Sequence, residues 1–400
     1  MLFKTALHTL FGSLQGETFQ VHYWDGEDRR YGDGIDSAFT LRFHREPPVH
    51  LENPLVYLGE CYSDGVYDID GDWNALFRLI NANKVRLIPD AVSRTLQRVG
   101  GTLGKLKRHQ KDNIAHHYDL GNAFYRLWLD DTMCYSCAFF RHPDDSLEQA
   151  QLNKIALCLD KLGIEPGMRL LDIGCGWGQL AIAAAERGAR VVGLTLSEEQ
   201  ATGARIRIAE CGLSDRVEIR LMDYLDLKGE VERFDRIVSV GMFEHVGSAH
   251  YTDFFDRAAD SLEPGGLMLL HSITSLSSDP PNPWVDKHIF PGGQIPAVAE
   301  IIAQLAGHDL HLLHVESLRL HYARTLEHWL ERFNGEHEAV RALFGERFIR
   351  MWTLYLKGSA ASFRSADLDI HQFLLSKGLN NHLPRHWGHL YHEGEAPQRW

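Results

Sequence analysis

Apolar residues at the start of the chain recur at helical spacing. Leu2, Phe3, Ala6, Leu7, Leu10, Phe11 and Leu14 alternate with Lys4, Thr5, His8 and Ser13. The pattern predicts an amphipathic helix of about four turns, packed on its own domain or offered to lipid or a partner subunit. From Thr18 to Trp24 the period changes to two. Phe19, Val21 and Tyr23 share one face, Gln20 and His22 the other, and Asp25-Gly26 closes the run as a turn. Residues 37–43 and 55–61 read as further strands. Residues 68–81 read as turn chemistry running into a helix that carries Trp73, Leu76, Phe77 and Leu79. Together these elements predict a small α+β module over residues 1–93, with no catalytic constellation inside it.

Beyond residue 112 the pattern is different. A helix over 147–162 leads through Pro166-Gly167 to an apolar strand at 170–173. Further strand-like runs follow at 190–194, 217–221, 234–240, 266–270, 310–320 and 368–375, with helical segments between them. Strands alternating with helices in this way predict an α/β fold, a doubly wound and mostly parallel sheet of seven strands with right-handed crossovers. Such sheets bind ligands beyond the carboxyl ends of their strands. Residues 326–333 and 339–363 read as inserted helices walling a channel, and residues 284–296, entered through Pro280, Pro281 and Pro283, as a loop on its side.

The chemistry centres on Leu170, Leu171, Asp172, Ile173, Gly174, Cys175, Gly176, Trp177 and Gly178. An apolar strand ends in three glycines spaced two apart, and a helix begins at once. Glycine lets the backbone approach a ligand closely, and the helix start offers free N–H groups. A dinucleotide fingerprint would need glycine at position 179, where Gln179 stands, so the pattern fits a nucleoside pocket of the S-adenosylmethionine type better. After the second strand no acid stands ready for the ribose hydroxyls. Thr195 and Gln200 could reach them, while Ser197 and Gln200 also match a capping box for the next helix. Asp223 and Tyr224, after the third strand, suit an adenine amine and ring face. Glu244 and His271 fall beyond neighbouring strands and can face one pocket. Residues 117–140, dense in aromatics and hydroxyls, read as a helical cap with Tyr135 and Ser136 pointing inward.

Composition narrows the setting. The chain has 400 residues, 44% hydrophobic and 24% charged, enough for two or three domains with sizeable cores. A net charge of −13 argues against nucleic acid as a partner. Six cysteines scattered without a secretory signal predict reduced thiols in the cytoplasm; Cys134 and Cys137 have metal or redox spacing but lack a second ligand pair, so no metal site is expected. No apolar run is long enough to span a bilayer. Residues 94–112 gather Arg94, Arg98, Lys105, Lys107, Arg108 and Lys111 around three glycines, a linker that doubles as a basic strap for anionic lipid.

Several motifs then act jointly. Tyr135-Ser136-Cys137-Ala138, the glycine turn, Gly193-Leu194-Thr195-Leu196-Ser197, Gly241-Met242-Phe243-Glu244-His245-Val246-Gly247 and Ile289-Phe290-Pro291 together resemble the cyclopropane-fatty-acyl-phospholipid synthases and related mycolic acid methyltransferases. The resemblance spans roughly residues 113–378, within a catalytic domain taken as 113–400. It implies S-adenosylmethionine at Tyr135, Ser136, residues 170–178, Thr195, Gln200, Asp223, Tyr224 and Val240. It implies a bicarbonate ion at Cys137, Glu244, His271, the backbone of Ile273, and Tyr322. It further implies a lipid-holding N-terminal domain, a cytoplasmic enzyme peripheral to the inner face of the cell membrane, unsaturated phospholipid as substrate, and a homodimer. The expected reaction adds a methylene unit to a cis double bond through a carbocation. The alternatives are a fatty-acyl C-methyltransferase that leaves a methyl branch, and a lipid carrier that binds the nucleoside without catalysis.

Overall fold

The computed structural model describes residues 2–48, 53–87, 120–229, 231–277, 282–365 and 368–391. The basic strap and His117 to Asp119 lie outside them. The chain forms two compact units, one of residues 1–106, 280–291 and 322–368, the other of 107–279, 292–321 and 369–400.

In the first unit β1 (Phe19–His22), β2 (Asp28–Tyr31), β3 (Phe39–Phe43) and β4 (Tyr67–Gly71) form a sheet in the order β2-β1-β3-β4. The alternation of β1 does what its pattern requires. Phe19 and Val21 are buried, Gln20 and His22 only partly so. Leu7 and Phe11, on the helix Leu2–Ser13, join the same core, so that helix packs on its own unit. The rings of Phe19 and Phe39 stack at 5.1 Å.

Two expectations fail here. Residues 55–61 lie in a helix, Pro54–Ser63, because Asn53 caps it by accepting from the Leu55 N–H and Pro54 occupies its first turn. A short apolar run cannot tell a buried strand from a helix; the Asn-Pro start could have. Residues 68–71 belong to β4, and the helix begins only at Trp73, capped by Asp72. Strand β2 has no counterpart in the hydrophobic pattern, since three of its four residues are exposed and polar, as befits an edge.

The inserted segments also group with this unit. Arg350, on the helical stretch His337–Ser365, donates to the carbonyls of Tyr62 (2.6 Å) and Tyr67 (2.8 Å) and to the Asp68 carboxylate (2.8 Å). Glu60 meets Lys287 and His288, each at 2.7 Å. Residues 284–296, expected to be a channel-side loop, open with the helix Pro283–His288.

The second unit holds β5 (Arg169–Ile173), β6 (Arg190–Thr195), β7 (Val217–Leu221), β8 (Phe234–Val240), β9 (Leu262–Ser275), β10 (Leu310–Ser317) and β11 (Leu368–Lys377), ordered β10-β11-β9-β8-β5-β6-β7. Pairs from β5 to β9 are parallel, and β10 with β11 is antiparallel. Successive residues serve opposite faces. Leu170, Val191 and Leu269 pack with Leu159, Leu180 and Ala204 from the helices Leu147–Leu162, Gln179–Glu186 and Glu198–Glu210. Leu171, Val192 and Leu270 pack with Phe254, Phe255 and Ile301 from Tyr251–Ser261 and Val298–Leu305. Each such leucine contributes about 1.5–3 kcal/mol by leaving water. The sheet is therefore covered on both sides, the doubly wound arrangement expected from the sequence.

Candidate functional site

The glycine turn follows β5. Gly174, Gly176 and Gly178 all take positive φ, at 89°, 54° and 84°. At Gly174 a Cβ would stand 2.8 Å from Met242, so only glycine lets this turn close against the β8 loop. At Gly176 a Cβ would meet nothing within 4 Å. The turn is held by the Gly174 and Cys175 N–H groups donating to the Leu194 carbonyl, at 3.0 and 2.9 Å.

A cavity opens at these strand ends. Tyr135, Ser136, Asp172 to Trp177, Thr195, Gln200, Asp223, Tyr224 and Val240 line it together. Residues separated by more than a hundred positions are thus brought together as the motifs required. Leu170, Leu171 and Gly178 do not line it. The two leucines are fully buried on opposite faces of β5, and Gly178 starts the following helix against Ala204. Ser197 caps its helix by accepting from the Gln200 N–H at 3.3 Å. The reciprocal half of the box is not made, because Gln200 turns its side chain to the Thr195 hydroxyl, 2.8 Å away and into the cavity.

The expected helical cap is mostly irregular. Among its described residues, 120–140, only Asn122–Trp128 is helical. The following segment is pinned by the helix Leu147–Leu162: Gln151 donates to the Ser136 carbonyl at 2.8 Å, and Ala150 accepts from the Phe139 N–H at 2.9 Å. Tyr125, Trp128, Tyr135 and Trp177 form one aromatic cluster, with centroids 5.3–5.7 Å apart across the touching pairs. Trp177 is further fixed by donating to Asn122 at 2.7 Å.

Two acids dominate the electrostatics. Burial pushes the Asp172 carboxyl up to about 7, against the opposing pull of Lys154. Its Oδ2 has no partner among the described residues. Burial likewise pushes Glu244 up to about 7, while the Ile273 N–H, donating to Oε1 at 2.6 Å, pulls it back. Among the described residues Glu244 Oε2 has no hydrogen-bond partner. His271 is wholly buried, its protonation driven far down by burial and by Lys154 and Lys161, and its Nε2 has no partner among the described residues. It sits on the same face of β9 as Ile273, so Glu244 is tied to the residue two positions beyond it. The Cys137 thiol, also buried, reaches the carbonyls of Ala138 (3.2 Å) and Leu318 (3.8 Å). Tyr322 belongs to the first unit, where its ring meets Phe363 at 4.7 Å.

Sequence reasoning overlooks Lys154. It lines the cavity, is 2% exposed, and donates to Ser136 Oγ at 3.1 Å. A signal for it exists: Gln151, Lys154, Cys158 and Lys161 recur at helical spacing on one buried stripe. His245 also lines the cavity, with burial lowering its pKa to about 4.

Comparison with known proteins agrees with this geometry. Residues 105–373 match the profile of the mycolic acid cyclopropane synthetase family, and residues 6–91 match that of a domain of unknown function. The chain is 38% identical to a probable fatty acid methyltransferase of Pseudomonas putida over 90% of its length and 91% of the relative's. It is 39% identical to the cyclopropane-fatty-acyl-phospholipid synthase of Escherichia coli K12, over 83% and 86%. A solved structure of the mycolic acid cyclopropane synthase CmaA1, complexed with SAH and CTAB, superposes with a TM-score of 0.63 at 36% identity, covering 67% of this chain and 98% of that one. Sheet order, glycine turn and sequence likeness converge: the chain belongs to the mycolic acid cyclopropane synthetase family, enzymes with the S-adenosylmethionine-dependent methyltransferase fold.

Proposed function

We propose that the protein adds a methylene unit from S-adenosylmethionine to the cis double bond of unsaturated phospholipid acyl chains, giving cyclopropane fatty acids. One observation carries the proposal. Glu244, in the short helical turn after β8, and His271, within β9, are both buried, and each keeps one polar atom without a partner among the described residues. A protein that only carried lipid would gain nothing from the cost of such groups.

The cavity fits a nucleoside that bears positive charge. Asp172 lacks a partner at Oδ2, Gly176 opens to space, and Asp223 and Tyr224 stand where an adenine would need an acceptor and a ring face. S-adenosylmethionine bound there supplies an electrophilic methyl group. In the net reaction its C–S bond breaks, a bond forms to one alkene carbon, and the neighbouring chain carbon is left cationic. Loss of a methyl proton then lets the ring close. The aromatic cluster of Tyr125, Trp128, Tyr135 and Trp177 excludes water that would trap the cation. Within the chain, Glu244 Oε2 is the acceptor for the released proton, and a pKa near 7 suits that task.

A bicarbonate ion fits the two orphaned atoms, one a donor and one an acceptor. It would be held by His271 and Glu244, with Cys137 in the set that the resemblance implies, and would supply a small proton relay to Glu244. The Ile273 N–H does not join this set in the structure, because it already donates to Glu244. The reading places the enzyme in the cytoplasm, peripheral to the inner face of the membrane, with the N-terminal unit holding lipid and two copies associating.

The name of the Pseudomonas putida relative favours a second reading, methyl branching of the acyl chain. Incubation with S-adenosylmethionine and vesicles of cis-unsaturated phospholipid tests both. Proton NMR of the released chains should show cyclopropane methylene signals. A branched or methylated alkene instead would overturn the first reading in favour of the second. Glu244→Gln should lose turnover by about 100-fold or more while nucleoside binding survives.

A further inference from the structure

The helix Leu147–Leu162 and β11 together carry a polar chain that ends at His271. Lys161, 1% exposed, sends its ammonium into the core, where Glu316 pairs with it and the Gln372 side-chain oxygen accepts from it at 2.7 Å. The other end of the Gln372 amide lies 3.0 Å from His271 Nδ1. Both Gln372 and His271 are completely buried.

The chemistry of the donors decides where the imidazole proton sits. An ammonium can only donate, so Gln372 must face Lys161 with its carbonyl oxygen. Its NH₂ then faces Nδ1. An N–H directed at a ring nitrogen requires a lone pair there, so Nδ1 carries no proton. The neutral ring must hold its single proton on Nε2. That is the atom with no partner among the described residues.

We propose that Lys161 and Gln372 act as positioning residues that lock His271 in the Nε2–H tautomer, so that Nε2 is a fixed hydrogen-bond donor for the reacting centre. The inference rests on the reading above that His271 serves the reacting centre. It also explains why a lysine and a glutamine occupy a stripe that could have been apolar. A polar network in the core specifies one arrangement when every member is satisfied, and here the one member left over is the functional end. Without Gln372, nothing in the described surroundings of Nδ1 would choose between the two neutral tautomers.

The test uses the full chain labelled with ¹⁵N at histidine. A long-range ¹H–¹⁵N correlation spectrum shows which nitrogen of each ring bears the proton, and His271 is identified by the signal lost in His271→Gln. The wild-type ring should show a protonated Nε2 and a bare Nδ1. A protonated Nδ1 overturns the proposal. In Gln372→Glu the new carboxylate accepts from Nδ1–H, keeps Lys161 paired, and should invert the tautomer. The kcat should then fall about 100-fold with KM for S-adenosylmethionine little changed, the pattern expected when a supporting hydrogen bond sets the wrong tautomer. An inverted tautomer with unchanged kcat overturns the positioning role. If the wild-type protein forms no cyclopropane or branched product, the proposed function fails, while the spectrum still decides the tautomer. Should Gln372→Glu not fold, the wild-type spectrum decides by itself.

Discussion

Asp172 and Glu244 hold the site's chemistry in their protonation. For both, burial raises the folded-state pKa to about 7 from ordinary values of 3.8 and 4.5. The folded chain therefore binds protons that the unfolded chain has released. Stability is full below about pH 4 for these groups and falls as pH rises toward 7, by up to about 1.4 kcal/mol per pH unit for each acid. Asp172→Asn should flatten part of that slope and raise the melting temperature of the ligand-free protein at pH 8. The same change should weaken S-adenosylmethionine binding about 10–100-fold, the worth of a charge-assisted hydrogen bond, as calorimetry would show. For Glu244 as proton acceptor, kcat should climb as pH rises through about 7. A flat profile across pH 6 to 8 would remove it from that role. At this scale the motifs bring Tyr135, Ser136, Asp172 to Trp177, Thr195, Gln200, Asp223, Tyr224 and Val240 to the cavity, but they mislead at Leu170, Leu171 and Gly178, which stand in the same glycine-turn motif and serve the core. Lys154 and Lys161 show in the sequence only as the helical spacing of a buried stripe, and the sequence is silent on Gln372, whose partners Lys161 and His271 lie 211 and 101 positions away, and on whether Ile273 offers its N–H to a ligand or to Glu244.

Among the elements, the contrast between two glycines separates intrinsic propensity from packing. Gly12, on the helix Leu2–Ser13, has open space where a Cβ would stand, whereas at Gly59, on Pro54–Ser63, the Cβ would come 2.3 Å from the Trp284 ring. Alanine is the better helix former by about 1 kcal/mol, so Gly12→Ala should stabilise by up to that amount. At Gly59 the clash with a 5% exposed indole outweighs the gain, and Gly59→Ala should cost about 1–3 kcal/mol. Thermal melts of the two variants should move in opposite directions. The strands of the second unit are readable because parallel strands buried on both faces are continuous apolar runs. Residues 55–61 and β2 mislead for complementary reasons. One is a short apolar run that happens to be a capped helix, and the other a polar edge whose strand identity comes from pairing with β1.

Over the whole molecule, a net charge of −13 opposes attachment to an anionic bilayer, and no helix among the described residues is long and apolar enough to cross one. Membrane contact in the proposed function then depends on local basic charge. Replacing Lys105, Lys107, Arg108 and Lys111 by Gln should reduce binding to anionic vesicles more than tenfold, since each such charge is worth about 1 kcal/mol near the surface. Sedimentation with vesicles at low and high salt measures this; equal binding to neutral and anionic vesicles would refute the strap. The sequence by itself determined the alternation of strands and helices and the glycine turn, because period and turn preference are local properties of the backbone. Only the tertiary structure decided that residues 280–291 and 322–368 group with the N-terminal unit, that Leu170 and Leu171 serve the core while Lys154 lines the cavity, and that Gln372 meets His271. Those outcomes depend on which buried surfaces and polar atoms find each other across long separations, and no local pattern encodes that.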